Sequence, residues 1–307
     1  MRRVLIAVSG PLLAASLLAQ QRPPTFEVGI EVINLNLSVT DGRSRYVTDL
    51  EERDFAVFED GILQQLSLFT HENLPISLSL LIDTSASMLE KLPVAQAAAT
   101  RFTRTLRPQD LAQVMQFNDR ATVLQDYTND QATLEAAIRR TQASGPTALH
   151  NALYIALKDL SQQKRAGELR RRAIVLLSDG EDTASLVNDE QVLEVARKTE
   201  IGIYSISLRS SRGQDRNFSQ ANYVLSSLSR ETGGQVYFPN SLSELDSVYD
   251  RIAEELRTLY SLGYVSSNQR RDGKWRRIVV RVPERPELQL RYKLGYYAPI
   301  SGGAPGG

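Results

Sequence analysis

Between residues 74 and 259, apolar positions follow two patterns that alternate along the chain. Spacings of three and four residues predict six helices, at 92–106, 131–141, 147–160, 190–199, 222–232 and 242–259. Short apolar runs predict buried strands, at 78–82, 111–117, 122–125, 173–179, 202–208 and 235–238. Because strands alternate with helices, we predict an α/β domain over 74–259. It should be a doubly wound, mostly parallel sheet with helices on both faces.

On either side of this region the apolar period changes to two, which is typical of strands. The predicted strands are 26–40, 55–58 and 66–69 on the amino-terminal side, and 260–265, 276–282 and 288–297 on the carboxyl-terminal side. Glu59-Asp60-Gly61 predicts a hairpin between 55–58 and 66–69. Asp272-Gly273 predicts a second hairpin, between 260–265 and 276–282.

Neither β-rich flank is large enough to bury a face alone, because isolated hairpins are marginally stable. We therefore expect residues 26–72 and 260–299 to form one small β-rich domain into which residues 74–259 are inserted. The carboxyl-terminal strands carry five tyrosines that either pack within the sheet or form a platform for carbohydrate or peptide, and packing is the favoured interpretation. They are Tyr260, Tyr264, Tyr292, Tyr296 and Tyr297.

The first 19 residues are typical of a secretory signal peptide. Two arginines precede an apolar run over 4–18, and Ala19 provides a small residue for cleavage. An uncleaved anchor is the alternative, but the run is shorter than the ~20 residues of a spanning helix and is interrupted by Gly10 and Pro11. We expect a secreted, periplasmic or envelope protein without stable membrane insertion after cleavage, and a disordered glycine-rich tail at 300–307.

Composition limits the chemistry that the chain can perform. Thirty-six basic and 36 acidic residues give a net charge of zero, so no overall field favours nucleic acid. The basic run 170–172 is expected to be a solvated lead-in to the next strand. The chain has no cysteine, and His71 and His150 are its two histidines, so thiolate or histidine-rich zinc sites and Cys–His catalysis are excluded. We predict that His150 lies on the surface or supports a site indirectly, and that the protein is not an enzyme.

Oxygen-bearing side chains follow two of the predicted strands. Asp83, Ser85 and Ser87 come directly after the strand at 78–82, and Asp179 ends the strand at 173–179, where Gly180 permits a tight turn. Thr147 follows Gly145-Pro146 and is expected to begin a helix. Taken singly, such residues are often only helix caps or turns. Parallel strands would bring all five to one sheet edge, and oxygen ligands suit a hard divalent cation, with Mg²⁺ first and Mn²⁺ or Ca²⁺ as alternatives.

The order Asp83-x-Ser85-x-Ser87, Thr147, Asp179-Gly180 resembles the metal-ion-dependent adhesion site of von Willebrand factor type A (VWA) domains. The flanking motifs V-T-D-G, D-F-A-V-F-E-D-G, W-R-R-I-V-V-R-V and L-G-Y-Y-A resemble a secreted, VWFA-related family known from acidobacteria. The resemblance implies that Ser85 and Ser87 bind the metal directly, that Thr147 does so directly or through water, and that Asp83 and Asp179 hold coordinated waters.

Two positions depart from the family pattern. Ala86 stands where glycine is commoner, and Pro146 stiffens the threonine loop, which argues against a large affinity-switching movement of Thr147. The resemblance implies an exported, metal-dependent binding or adhesion protein that recognises an acidic group of a protein partner. The alternatives are an envelope assembly or structural protein in which the metal only stabilises the fold, and, less favoured, a hydrolase that uses the same metal.

Overall fold

The computed structural model describes residues 32–71, 74–163, 169–179, 181–208 and 216–300, with the backbone alone over 216–220. These residues belong to the unit Glu31–Gly307. The predicted signal peptide at 1–19, residues 26–31 of the first predicted strand, Gly180 and the tail from 301 lie outside the described residues. Among the described helices, none has the length and apolarity needed to span a bilayer.

The elements follow the predicted alternation. The strands are β1 (Val32–Thr40), β2 (Ala56–Glu59), β3 (Ile62–Gln64), β4 (Leu66–Thr70), β5 (Ile76–Asp83), β6 (Leu111–Phe117), β7 (Ala121–Thr128), β8 (Arg171–Ser178), β9 (Ile201–Ser207), β10 (Val236–Tyr237), β11 (Tyr260–Val265), β12 (Trp275–Arg281), β13 (Gln289–Arg291) and β14 (Gly295–Tyr297). The α-helices are α1 (Leu92–Arg104), α2 (Gln131–Arg139), α3 (Leu149–Gln162), α4 (Asp189–Arg197), α5 (Arg216–Glu231) and α6 (Leu245–Thr258).

The central sheet has the strand order β10-β9-β8-β5-β6-β7. Its neighbouring strands are parallel except for β7, which pairs with β6 in the antiparallel direction. This confirms the prediction of a mostly parallel sheet. All eight residues of β5 are buried, because β5 has strands on both sides and helices above and below.

Helices cover both faces of the sheet, as predicted. Leu80 and Ile82 of β5 point into a core that α1, α2 and α6 complete, whereas Leu81 points into the opposite core with α3, α4 and α5. The split follows from the strand period of two, which sends successive side chains to opposite faces. The carboxyl ends of the parallel strands therefore form one edge, framed by helices on each side.

The two flanks form two antiparallel sheets, with the strand orders β13-β1-β11-β4 and β14-β12-β2-β3. Each sheet contains strands from both ends of the chain. One apolar core joins them, with Leu35 and Val57 from the amino-terminal side and Leu262 and Ile278 from the carboxyl-terminal side. The β-rich part built from both flanks is therefore present, as a two-sheet sandwich.

Both predicted hairpins are wrong in their partners. β2 turns back through Asp60 and Gly61, with φ of 48° and 87°, into β3, and β4 pairs with β11 in the other sheet. Two consecutive residues at positive φ close a tight two-residue hairpin, which leaves no room for a longer excursion. β11 and β12 lie in different sheets, so the chain between them, which includes Asp272-Gly273, crosses the sandwich. The predicted strand 288–297 is likewise divided between β13 and β14.

The burial of side chains tests two further expectations, one for the tyrosines and one for the basic run 170–172. Tyr260, Tyr264 and Tyr296 are buried in the sandwich core, which supports packing and leaves these three rings unavailable as a platform. The expectation that the run 170–172 is solvated is wrong for Arg171, whose side chain is 1% exposed. Arg171 is buried because its guanidinium donates to the carbonyl oxygens of Leu256 and Leu259 at the end of α6.

Candidate functional site

Asp83 anchors the loop at the carboxyl end of β5. It is fully buried, and its Oδ1 accepts a hydrogen bond from the Ser85 backbone N–H at 2.8 Å. Its Oδ2 accepts one from the Ser178 hydroxyl of the neighbouring strand β8 at 2.6 Å. The carboxylate therefore fixes the turn after β5 and ties it to the end of β8.

The hydroxyls of Ser85 and Ser87 lie together beyond this anchor. Their Oγ atoms are 3.0 Å apart, with Ser85 buried and Ser87 exposed. A short helical turn at Ala86–Met88 follows Ser85 and brings the two side chains to the same side. The edge of the sheet therefore carries two adjacent, neutral oxygen atoms of the kind that bind metal ions.

The loop that carries Thr147 is hydrogen-bonded to the serine loop. Ser144 N–H donates to the Thr84 carbonyl at 2.7 Å, and Ala86 N–H donates to the Gly145 carbonyl at 2.9 Å. Gly145 has a φ of +71°, a conformation that glycine adopts without strain. Thr147 is thus held near Ser85 and Ser87, and it is almost completely buried.

Thr147 does not begin the following helix, contrary to the prediction. α3 starts at Leu149, because the backbone of Thr147 bonds a different segment. Its N–H donates to the Thr183 hydroxyl at 3.0 Å, and its carbonyl accepts from the N–H groups of Thr183 and Ala184. Within the described residues, the Thr147 hydroxyl makes no hydrogen bond of its own, so it remains available as an oxygen ligand.

Asp179 completes the predicted set, and it has a partner that the sequence did not reveal. The ammonium of Lys91, the residue before α1, lies 3.1 Å from Asp179 Oδ2. Burial raises the pKa of Asp83, hydrogen bonds from Ser178 and Ser85 lower it, and the nearby Asp179 carboxylate raises it further. Two carboxylates repel each other here, and a cation placed between them would relieve that repulsion.

The donor set fits a magnesium ion. Octahedral Mg²⁺ takes oxygen ligands at about 2.0–2.1 Å, so adjacent ligands are separated by about 3 Å. The Ser85 and Ser87 oxygens have this separation, which is also the length of the hydrogen bond between the two hydroxyls. In the part of the chain that the structure describes, no group of three or more His, Cys, Asp or Glu side chains is arranged to hold a metal. A metal at this edge would therefore depend on the hydroxyls as well as the two carboxylates.

A family model supports the same segment. Residues 78–181 match the model described as the von Willebrand factor type A domain, and this range contains Asp83, Ser85, Ser87, Thr147 and Asp179. The chain contains a VWA domain. No curated protein matches the chain by sequence.

Several solved structures are similar to the protein in fold. A von Willebrand factor type A protein from Catenulispora acidiphila has 13% identity and a TM-score of 0.48, with coverage of 90% of this chain and 75% of its own. The vWF domain of the type V pili tip protein Mfa5 from Porphyromonas gingivalis has 14% identity and a TM-score of 0.49. The match covers 59% of this chain and 95% of the Mfa5 domain. An aerotolerance-related membrane protein from Bacteroides fragilis has 16% identity and a TM-score of 0.47. The match covers 59% of this chain and 98% of the Bacteroides chain.

His150 lies beside the candidate metal site, here called the VWA site, and is not part of it. The VWA site consists of Asp83, Ser85, Ser87, Thr147 and Asp179. Its Nδ1 is 2.6 Å from Asp182 Oδ2, and Asp182 directly precedes the Thr183 that holds Thr147. Burial raises the pKa of Asp182, but His150, together with hydrogen bonds from Ser185, more than offsets this and lowers the pKa below its ordinary value. Among the described residues, no hydroxyl is hydrogen-bonded to His150, so the imidazole supports the loop indirectly.

Sequence reasoning missed three residues that shape the VWA site: Ser178, Lys91 and Thr183. Ser178 could have been found from the parallel register, since Ile82 pairs with Leu177 and the next positions are Asp83 and Ser178. Lys91 and Thr183 carry no such signal, because the direction of a side chain in a loop does not follow from its spacing.

Proposed function

We propose that this protein binds one divalent cation at the edge of the VWA sheet and uses it to bind a protein partner. Ser85, Ser87 and Thr147 supply the oxygen ligands, and Asp83 and Asp179 hold coordinated waters. Mg²⁺ is the first candidate, with Mn²⁺ or Ca²⁺ as substitutes. The observation that carries the proposal is the pair of serine hydroxyls, 3.0 Å apart, on a loop that Asp83 anchors and that is hydrogen-bonded to the loop carrying Thr147.

The chemistry of these ligands indicates what the partner offers. Hydroxyl ligands are neutral, so they leave most of the charge of a divalent cation uncompensated. The exposed side of Ser87 leaves a direction from which another ligand can approach. A carboxylate is the group that such a cation attracts most strongly, so the proposed partner is a protein that presents an acidic side chain.

We also propose that the protein acts outside the cytoplasm. The amino-terminal pattern at 1–19 supports export, and the absence of cysteine is compatible with an oxidising compartment. Binding rather than catalysis is proposed as the activity, because the site consists of ligands for a cation and the His150–Asp182 pair is engaged in supporting the loop.

Metal binding is tested by calorimetry on the full chain with MgCl₂ and MnCl₂. The wild type should bind one cation per chain, and Ser87→Ala and Thr147→Val should each weaken binding by about tenfold or more, since each removes an oxygen ligand. Ser161→Ala removes a hydroxyl at the other end of α3 and should leave the affinity unchanged. Unchanged affinity in both site variants, with native far-UV spectra, would contradict the site.

Partner binding needs a separate measurement. Affinity capture from an envelope fraction, with and without chelator, should recover a protein whose retention requires the cation and is lost in Thr147→Val. Capture that survives the chelator would instead favour the structural alternative, in which the cation only stabilises the fold.

A further inference from the structure

Lys91 places a positive charge directly against the site. Its Nζ lies 3.1 Å from Asp179 Oδ2, and the two side chains are 29% and 10% exposed. Among the described residues, Lys91 is the basic residue with which Asp179 forms an ion pair. The ammonium therefore occupies the neighbourhood of a carboxylate to which the proposed function assigns a water of the cation.

The position of Lys91 is not one that its own helix favours. Lys91 directly precedes α1, and its carbonyl accepts a hydrogen bond from Ala95 N–H at 3.0 Å. The amino end of a helix carries a partial positive charge and therefore disfavours a cation there. The carboxylate of Asp179 across the loop stabilises the ammonium, whereas the amino end of α1 does not, so the lysine interacts with the site and not with α1.

The ion pair between Lys91 and Asp179 changes the charge that an incoming cation would meet at the site. Asp83 and Asp179 together present two carboxylates to an incoming ion, and Lys91 neutralises one of them. A divalent cation near Asp179 would meet a carboxylate that is already paired, and it would also be repelled by the ammonium. The lysine thus opposes metal binding in two ways, through competition and through repulsion.

We propose that Lys91 is an internal counter-cation of this site. It holds Asp179 in the metal-free protein, releases it when a divalent cation binds, and thereby sets the affinity of the site for the cation. This inference rests on the proposed function, and it identifies a residue that tunes the site without being one of its ligands.

Two variants and a control test the inference on the full chain. Lys91→Met keeps an unbranched side chain of similar length and removes the charge, and Lys91→Arg keeps the charge. Lys198→Met removes the exposed lysine that pairs with Glu194. α4 leads from β8 to the start of β9, so Lys198 lies towards the amino ends of the strands, away from the site. Calorimetry with MgCl₂ and with MnCl₂ measures affinity, and thermal unfolding in chelator measures the metal-free state.

Lys91→Met should bind both cations about tenfold more tightly than the wild type, because both the competitor and the repulsion are removed. Lys91→Arg and Lys198→Met should stay within about twofold of the wild type. In chelator Lys91→Met should melt at a lower temperature than the wild type, because Asp179 then lacks its counter-charge, and saturating Mg²⁺ should reverse this order.

The outcomes separate the two proposals. Equal affinities of the wild type and Lys91→Met overturn the role of the lysine and leave metal binding intact. Weaker binding by Lys91→Met also overturns it, because the lysine would then assist the cation. Absence of binding in the wild type and all variants, with native spectra, overturns the proposed function and the inference with it.

Discussion

Two fully buried tyrosines in the α/β domain differ in the state of their hydroxyls. Tyr204 OH donates to Glu255 Oε1 at 2.8 Å. The Tyr249 hydroxyl has no hydrogen-bond partner in the part of the chain described, although its ring stacks on Phe102 at 4.8 Å. Burial raises the pKa of both phenols, so both stay neutral. A buried hydroxyl without a partner costs free energy that its ring packing must offset.

Tyr249→Phe should therefore raise the free energy of unfolding by about 1 kcal/mol, because it removes an unsatisfied polar group and keeps the stacked ring. Tyr204→Phe is the matched control and should lower it by about 1–2 kcal/mol, because a donor to a buried carboxylate is lost. Urea unfolding of the full chain at fixed chelator concentration measures both. A destabilised Tyr249→Phe would show that the hydroxyl has a partner such as a buried water.

The candidate site shows which residues a sequence can reveal. Asp83, Ser87 and Asp179 could be predicted, because each lies at or just past the end of an apolar strand and parallel strands bring those ends to one edge. Lys91 could not, because its contact with Asp179 joins residues 88 positions apart through the direction of one long side chain. Whether these groups bind a cation remains a prediction for calorimetry.

At the level of elements, periodicity predicted most strands and helices, but it did not predict which strands pair. β5 and α6 follow from their apolar spacing. The pairing partner of β4 does not follow from spacing, because β4 pairs with β11 and the α/β domain lies between these two strands in the sequence. Local turn signals mislead in this situation, since Asp272-Gly273 marks a bend between two sheets and not a hairpin.

Arg171 illustrates how an element can depend on a distant residue. It begins β8, and its guanidinium donates to the carbonyls of Leu256 and Leu259 at the carboxyl end of α6. Burial lowers the pKa of Arg171 to about 10, which still leaves it charged at neutral pH. The terminal carbonyls of a helix lack partners within the helix, and a cation there also complements the helix dipole. This contact fastens the end of α6 to the central sheet.

Arg171→Met should lower the free energy of unfolding by about 2–4 kcal/mol, because buried carbonyls at the end of α6 lose their donors. Arg172→Met, one residue further along β8, removes a partly exposed arginine paired with Glu200 and should cost about 1 kcal/mol or less. Denaturant unfolding compares the two. Equal losses would mean that the fully buried arginine contributes no more to stability than its partly exposed neighbour.

Across the whole molecule, a buried carboxylate connects the α/β domain to both flanks. Glu255 of α6 is fully buried and accepts hydrogen bonds from Tyr46 of the amino-terminal flank at 3.1 Å and from Arg291 of β13 at 2.5 Å. Burial lowers the pKa of Arg291, but Glu255 more than offsets this and raises it above its ordinary value. The sandwich is thereby held against α6 by groups that would be costly to separate.

The last prediction follows from the pairing of the sandwich strands. Within the described residues, the amino-terminal flank contains one self-contained pair, β2 with β3, whereas β1 and β4 pair with strands that follow the α/β domain. A single hairpin is at best marginally stable in water. Residues 20–72 expressed alone should therefore be unfolded, and a chain that ends at residue 259 should keep its α/β domain and its metal affinity but become sensitive to protease within 32–71. Limited proteolysis with mass spectrometry, beside the full chain as control, locates the cleavages. A 20–72 fragment that is monomeric and melts cooperatively would overturn this account, because its sheet would then need no strand from the carboxyl-terminal flank.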